Sequence, residues 1–483
     1  MRGRATQLAA ALLLSSLGVA SASPASRGPL QDELDPILAR SAFTSSLWAV
    51  EVRRLADGAL LYAANDAASV VPGSVLKLVS TATAIDALGP DATFSTTVET
   101  NASLDSEGHL QGDLFLVGHG DPTLMARDGS NSDSALDRLA DAVFRAGVRE
   151  VRGRVVGHDA VFSGERRAVD WSWGDLMWYY GAEVAGLCFN NATVQLRVKP
   201  GARVGDPIVV ERKPDSRYYE VHIEARTTGR RTRPDLRVER PLGSNVITLS
   251  GNYPLHLRPD NLLVSLEDPP LYASTVFSEM LAERGVKVDG GAVTEPSLPP
   301  DTHVVAGLAS PPVSEILKLI NQPSDNLRAE MLLRSAARQL TGEGSEKAGI
   351  ESMRLFLKRM DVHDQGFSLQ DGCGLAPTNL VTARGIVALL RAMDRHRYGA
   401  FYRASLPMAG LEGTLKHRFR GTAVAGRMRA KTGFLEHTYG LAGYLTTGRG
   451  EDVAFAIFLN HHTRGAGSAY SAIDDICKRL VDH

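Results

Sequence analysis

Cysteine and aromatic residues are scarce in this chain: three cysteines in 483 residues, and 6% Phe, Trp and Tyr. An odd count of three, Cys188, Cys373 and Cys477, leaves at least one without an internal partner, so disulfides are not the scaffold. Neither sign of charge dominates. With 53 Lys and Arg against 55 Asp and Glu, nothing in the balance argues for binding nucleic acid or for adsorption to an anionic membrane. Past the N-terminus, no run approaches the ~20 apolar residues that span a bilayer. None of the 13 histidines falls in H-E-x-x-H or another ligand spacing, so no metal site is expected. Gly118-His119-Gly120-Asp121-Pro122 is followed by proline and polar residues where a phosphate loop would open a helix and carry a lysine, and no cofactor is expected either. Internal repeats are also absent.

What remains is an ordinary globular composition, 43% hydrophobic and 22% charged, with room for two to four domains and for a small-molecule or polymer substrate. The first residues carry an address: Arg2 and Arg4, an apolar run from Leu8 to Val19, then Ala20-Ser21-Ala22. This is the layout of an export signal cleaved after Ala22, and no cysteine follows to accept a lipid. Residues 1–22 are therefore read as a signal peptide, and the mature protein is expected to be soluble in the periplasm or cell wall.

Leu30 to Arg40 reads as a short helix, and the alternating runs Leu47 to Arg53 and Ala59 to Ala63 flank Asp57-Gly58, a strong hairpin signal. The hairpin leads into Val71-Pro72-Gly73-Ser74-Val75-Leu76-Lys77. From there Val75, Leu78, Val79, Ala82, Ile85 and Leu88 recur at helical spacing up to the stop at Gly89-Pro90, which puts Ser74 in the first turn. A helix start favours negative charge on a serine oxygen, and Lys77 lies one turn up on the same face. Burial and the dipole push such a lysine toward a neutral amine able to take the serine proton.

Beyond Pro90 come short strands and the amphipathic helix Ser134 to Gly147, a small α/β unit. Residues 171–262 alternate with period two and are expected to be antiparallel strands. Trp171, Trp173, Trp178, Tyr179 and Tyr180 crowd the start of this stretch, a cluster that reads as a domain seal ahead of a sugar platform. Helices return at Tyr272 to Arg284, Pro312 to Asn321 and Leu327 to Leu340. Three strands, Arg427 to Thr432, Gly440 to Leu445 and Val453 to Leu459, precede a last helix from Ala469 to Leu480. One sheet built from both chain ends is the simplest assembly.

Two further motifs follow Ser74-Val75-Leu76-Lys77 in order: Ser324-Asp325-Asn326 between two helices, and Lys431-Thr432-Gly433 on a strand. In such a trio Ser324 can pass a proton between Lys77 and a leaving amine, Asn326 can hold a substrate amide, and Lys431 with Thr432 presents a cation and a hydroxyl to a carboxylate. Strand amides near Gly433 and the Ser74 N–H can form an oxyanion hole. Taken singly, Ser-Asp-Asn is also a good helix cap, and Lys-Thr-Gly also an ordinary strand end.

The trio is the set shared by class A β-lactamases and penicillin-binding proteins. Together with Leu88-Gly89-Pro90-Asp91, Tyr180-Gly181-Ala182, Phe189-Asn190-Asn191, Asp371-Gly372-Cys373-Gly374-Leu375 and Gly410-Leu411-Glu412-Gly413-Thr414-Leu415, the chain resembles the class C low-molecular-mass penicillin-binding proteins. These are D-alanyl-D-alanine carboxypeptidase/endopeptidases of the DacB type. The resemblance implies an α/β (α+β) fold: a transpeptidase-like domain, an antiparallel sheet flanked by helices, split by two nested insertions. The expected division is 23–91 with 302–483 for the catalytic domain, 92–170 with 263–301 for an α/β insertion, and 171–262 for a mainly β insertion. It implies Ser74, Lys77, Ser324, Asn326 and Lys431 as catalytic residues, Thr432, Gly433 and Phe434 as substrate-binding residues, and peptidoglycan stem peptides and β-lactams as partners. Relatives usually carry alanine at Gly73, serine at Cys373, and threonine or serine at Phe434.

Two other functions share these motifs. A serine β-lactamase needs a way to activate a deacylating water, and the E-x-x-L-N segment that class A enzymes use for it is missing; a non-catalytic wall-binding protein could keep the fold without the chemistry. Because residues 171–262 contribute no motif, they are expected to be dispensable for acylation.

Overall fold

A computed structural model describes residues 30–125, 134–362 and 365–483. The expected signal peptide lies outside the described residues.

The central sheet joins the two ends of the chain. Strands β1 (Leu47–Arg54) and β2 (Leu60–Ala64) form the N-terminal hairpin, and β3 (Met428–Leu435), β4 (Thr438–Thr446) and β5 (Asp452–Asn460) form the C-terminal meander. Their order is β3-β4-β5-β1-β2, antiparallel throughout, with β1 pairing β5 from Leu47↔Asn460 to Arg54↔Val453. Leu441, Leu445, Phe455 and Ile457 pack on one face against helices α1 (Gln31–Leu38) and α8 (Ala466–Asp482). Ala442, Tyr444, Ala454, Ala456 and Phe458 face the larger helical layer. That layer holds α2 (Lys77–Leu88), α3 (Val313–Asn321), α4 (Asn326–Thr341), α5 (Glu346–Arg359), α6 (Ala383–Asp394) and α7 (Gly399–Ser405).

Helix α2 is enclosed on all sides, every residue from Lys77 to Ile85 being buried. This is why its sequence is apolar all round with small Ser, Thr and Ala between the large residues. Gly89, at φ +80, ends it where the sequence predicts.

Between α2 and α3 the chain builds a mixed five-stranded sheet ordered Ala292–Thr294, Val155–His158, Leu114–Gly118, Ser95–Thr100, His303–Ala309, carrying the helices Ala135–Arg145 and Pro269–Glu283. The last strand, His303–Ala309, pairs with Ser95–Thr100, so this sheet extends past the expected edge at residue 301. The stretch expected to be purely antiparallel also differs. Glu220–Ile223 and Arg226–Thr228 pair in parallel with Val246–Pro254, and Asp260–Ser265 carries the β region beyond 262 by pairing with Thr193–Lys199. A period-two pattern specifies which side chains are buried but not the direction of the neighbouring strand. One continuous apolar core contains Val98 and Val151, Val194 and Ile247, and Tyr272 and Phe277, so the α/β and β portions are packed as one body.

Candidate active site

Ser74 sits in a 3₁₀ turn, Gly73–Leu76, immediately ahead of α2, rather than in the first α-turn itself. Pro72 and Gly73 cause the tightening. Gly73 takes φ +51, and a Cβ there would stand 2.8 Å from the backbone nitrogen of Phe434 on β3. On its other flank, Gly374 at φ +82 lets the Asp371 loop approach so closely that a Cβ would fall 2.0 Å from the Gly73 carbonyl oxygen. The serine turn is thus wedged between a strand and a loop.

Lys77 is wholly buried, and its Nζ lies within hydrogen-bond distance of three groups: Ser74 Oγ at 2.9 Å, Asn326 Oδ1 at 2.6 Å and the Cys373 carbonyl at 2.7 Å; as a neutral amine it donates to the last two and accepts the Ser74 hydroxyl proton. Burial holds its pKa below the ordinary lysine range, only partly countered by the nearby Cys373, Asp371, Asp325 and Glu330. Lys431, equally buried, donates to Ser324 Oγ at 2.8 Å and to the Thr432 carbonyl at 2.8 Å. Its pKa is pushed well down by burial and by Lys77.

The Ser-Asp-Asn motif serves as cap and as site at once. Asp325 accepts from the Arg328 N–H at 2.9 Å to cap α4, while Ser324 is held at φ +67 with its hydroxyl on Lys431. Asn326, expected to hold a substrate amide, lines the cleft and is also bound within the protein. Its Oδ1 is bound by Lys77 and its Nδ2 donates to the Tyr180 carbonyl at 2.9 Å, so the side chain first of all ties Lys77 to the 171–192 segment.

A cleft of about 880 Å³ opens onto these groups. Ser74, Ser324, Asn326, Thr432, Gly433 and Phe434 line it, while Lys77 and Lys431 stand buried behind them. Ser324 stands between Lys431 and the cleft, and the part-exposed polar group of β3 is Thr432, whose Oγ1 donates to Thr414 Oγ1 at 2.9 Å. Phe434 is 55% exposed, with its ring 5.6 Å from that of Tyr439. Ser172, Asp175, Tyr179 and Tyr180 line the same cleft.

Sequence reasoning missed this contribution from 171–192. Besides the Tyr180 carbonyl, Asn191 Nδ2 donates to Asp325 Oδ2 at 2.8 Å and Trp171 Nε1 to Asp371 Oδ2 at 3.0 Å, and Trp171, Ala182 and Ala185 share the apolar core of α2 and α4. The stretch expected to be dispensable, 171–262, thus reaches the site with its first 22 residues. The signal was present: Tyr180-Gly181-Ala182 and Phe189-Asn190-Asn191 stand out in sequence, but two of the contacts use a backbone carbonyl and an indole N–H, which no motif declares. Thr414 was missed likewise, inside a quoted motif with no role attached.

Behind Lys77, the carboxyls of Glu330 and Asp371 and the Cys373 thiol gather in full burial within 4.8 Å of one another. Both Asp371 oxygens already accept N–H donors, from Gly374 and Asn379 on Oδ1 and from Ala376 and Trp171 on Oδ2. Glu330 Oε1 accepts from the Gly372 N–H at 2.7 Å. The cluster is a hydrogen-bonded node supporting the Cys373 carbonyl. Burial and the Asp371 charge raise Glu330 to about 7. Cys188, Cys373 and Cys477 are all free and buried.

The chain is 34% identical to the D-alanyl-D-alanine carboxypeptidase of Actinomadura sp. (strain R39), over 98% of this chain and 88% of that protein. Its fold matches the crystal structure of penicillin binding protein 4 (dacB) from Haemophilus influenzae with a TM-score of 0.83 at 22% identity, covering 93% of this chain and 100% of that one. A second structure of that protein, complexed with a β-lactam, matches at 0.76 and 20% identity over 93% and 99% of the two chains. The D-Ala-D-Ala carboxypeptidase 3 (S13) family model matches residues 30–480, and the chain belongs to that family.

Proposed function

We propose that this protein is an exported serine DD-peptidase that removes the terminal D-alanine from peptidoglycan stem peptides and cleaves D-alanyl cross-links through an acyl-enzyme on Ser74. The observation that carries the reading is the 2.9 Å contact between Ser74 Oγ, on the cleft wall, and a lysine amine whose proton is disfavoured by burial. Family membership supports the same chemistry.

In this account neutral Lys77 takes the Ser74 proton as Oγ attacks the carbonyl carbon of the penultimate D-alanine. Negative charge developing on the carbonyl oxygen is met by the N–H groups of Ser74 and Phe434. Collapse of the tetrahedral adduct breaks the C–N bond, and the leaving amine takes a proton through Ser324, which Lys431 orients. Water then hydrolyses the ester and restores Ser74 Oγ–H. A β-lactam ring amide enters by the same attack and stays as a slowly hydrolysed acyl-enzyme. The terminal carboxylate is held by the Thr432 and Thr414 hydroxyls, with Lys431 behind them holding Ser324 in place.

Export to the periplasm or cell wall follows from the leader pattern of residues 1–22. No helix among the described residues is long and apolar enough to cross a membrane. D-alanine release from a pentapeptide stem tests the proposal directly: a folded protein that releases none, and that takes up no penicillin, is not a DD-peptidase.

A further inference from the structure

The two acceptors that orient Lys77, Asn326 Oδ1 and the Cys373 carbonyl, are themselves held by the segment 171–180. Asn326, which takes one N–H of Lys77, gives its own amide N–H to the Tyr180 carbonyl at 2.9 Å. The Cys373 carbonyl, which takes another, lies in the turn organised by Asp371, and Asp371 Oδ2 accepts the indole N–H of Trp171 at 3.0 Å. Trp171 is 5% exposed and packs in the same apolar core as α2 and α4, so its indole is held in place behind the site.

We infer that Trp171 is a positioning residue for the acylation step: through Asp371 it fixes the turn whose Cys373 carbonyl aims Lys77 Nζ at Ser74 Oγ. The inference rests on Ser74 being the acylated residue. The reason for an indole at this point is geometric. Asp371 already accepts Gly374 N–H at 2.7 Å, Ala376 N–H at 2.7 Å and Asn379 Nδ2–H at 2.9 Å, all from its own loop. These shape the loop but do not place it relative to the rest of the protein. The Trp171 bond comes from a segment 200 residues earlier in the chain and supplies an external reference on the Asp371 carboxylate itself, beside the one that Glu330 of α4 gives the Gly372 N–H. A small displacement of a proton acceptor relative to its nucleophile costs rate steeply, on the order of a hundred-fold per ångström, without a matching change in substrate affinity. A residue that holds the aim of Lys77 should therefore act on kcat and leave KM alone.

The test is a double-mutant cycle on the full chain using Trp171→Phe, which keeps an aromatic ring and removes the N–H, and Asp371→Asn. The readouts are the titre of penicillin-reactive sites, the acylation rate per reactive site, and kcat and KM on a D-alanyl-D-alanine peptide. Trp171→Phe is expected to keep the titre, to acylate about ten-fold more slowly per site, and to lower kcat with KM within two-fold. In the Asp371→Asn background the same substitution is expected to cost clearly less, because its route through the carboxylate is already weakened. A lower titre with an unchanged rate per site would make Trp171 merely structural and overturn the inference, as would an equal penalty in both backgrounds. Absence of a Ser74 adduct in the unmutated protein would instead refute the functional reading, a separate outcome.

Discussion

The side chain of Asn326 bridges Lys77 and the backbone of Tyr180, accepting from Nζ at 2.6 Å and donating to the Tyr180 carbonyl at 2.9 Å. The bridge makes Asn326 part of the electrostatics of the lysine. Replacing the neutral amide with a carboxylate sets a negative charge against the amine and favours its protonated form. Asn326→Asp is expected to move the acid limb of the acylation rate to higher pH and to slow acylation at pH 7 by ten-fold or more. An unmoved pH limb would show that Asn326 acts on substrate alone.

Lys77 is the base in this account only when neutral. Burial lowers its pKa from the ordinary 10.5, so the reactive fraction grows as pH rises through an ionisation below that value. Penicillin acylation should climb with pH accordingly, and Lys77→Ala should lose the climb along with most of the rate. A fully active Lys77→Ala, or a pH climb that is the same in Lys77→Ala as in the parent, contradicts the assignment.

In the proposed binding mode Phe434 stands beside the terminal carboxylate, where a hydroxyl would be useful, and its ring leans on Tyr439. The backbone N–H is retained by any residue but proline. Phe434→Thr adds one hydrogen bond to a charged group, about 1.5–3 kcal/mol, or roughly ten- to hundred-fold. It is expected to raise kcat/KM on a D-alanyl-D-alanine carboxypeptidase substrate, with a smaller gain on cross-links, which carry a bulkier group. Equal or lower efficiency in a stable variant would mean that the Thr432–Thr414 pair already satisfies the carboxylate.

Glu330 has its pKa raised from 4.5 to about 7 by burial and by Asp371. The folded protein therefore binds a proton there that the unfolded chain releases near pH 4.5, and the stability this contributes is full below about pH 4.5 and lost as pH rises through 7. Glu330→Gln, a permanent mimic of the neutral acid, should flatten the fall in thermal stability between pH 5 and 8. A parallel pH profile in mutant and parent would show that Glu330 is ionised throughout.

Much of this site was legible in sequence because its parts sit where local structure is declared locally. Ser74 and Lys77 share an apolar helical run bounded by Pro72 and Gly89; Lys431 lies in a β run; Ser324 precedes a capped helix. The single sheet built from both chain ends followed from the number and position of the strands. The contacts made across the fold were not legible. Nothing in the residues near Tyr180 says that its carbonyl will meet an amide 146 positions away, or that Trp171 will meet Asp371. The direction of the strands around Val246–Pro254 and the boundary strand His303–Ala309 were lost for the same reason, since pairing is a property of two segments and periodicity of one.

The most direct measurement is intact-protein and peptide mass spectrometry after incubation with benzylpenicillin, run on the parent chain and on Ser74→Ala. The account predicts one penicilloyl adduct per molecule, located on the peptide containing Ser74, and none on Ser74→Ala. An adduct that persists in a folded Ser74→Ala protein, or that maps to another residue of the parent, contradicts it.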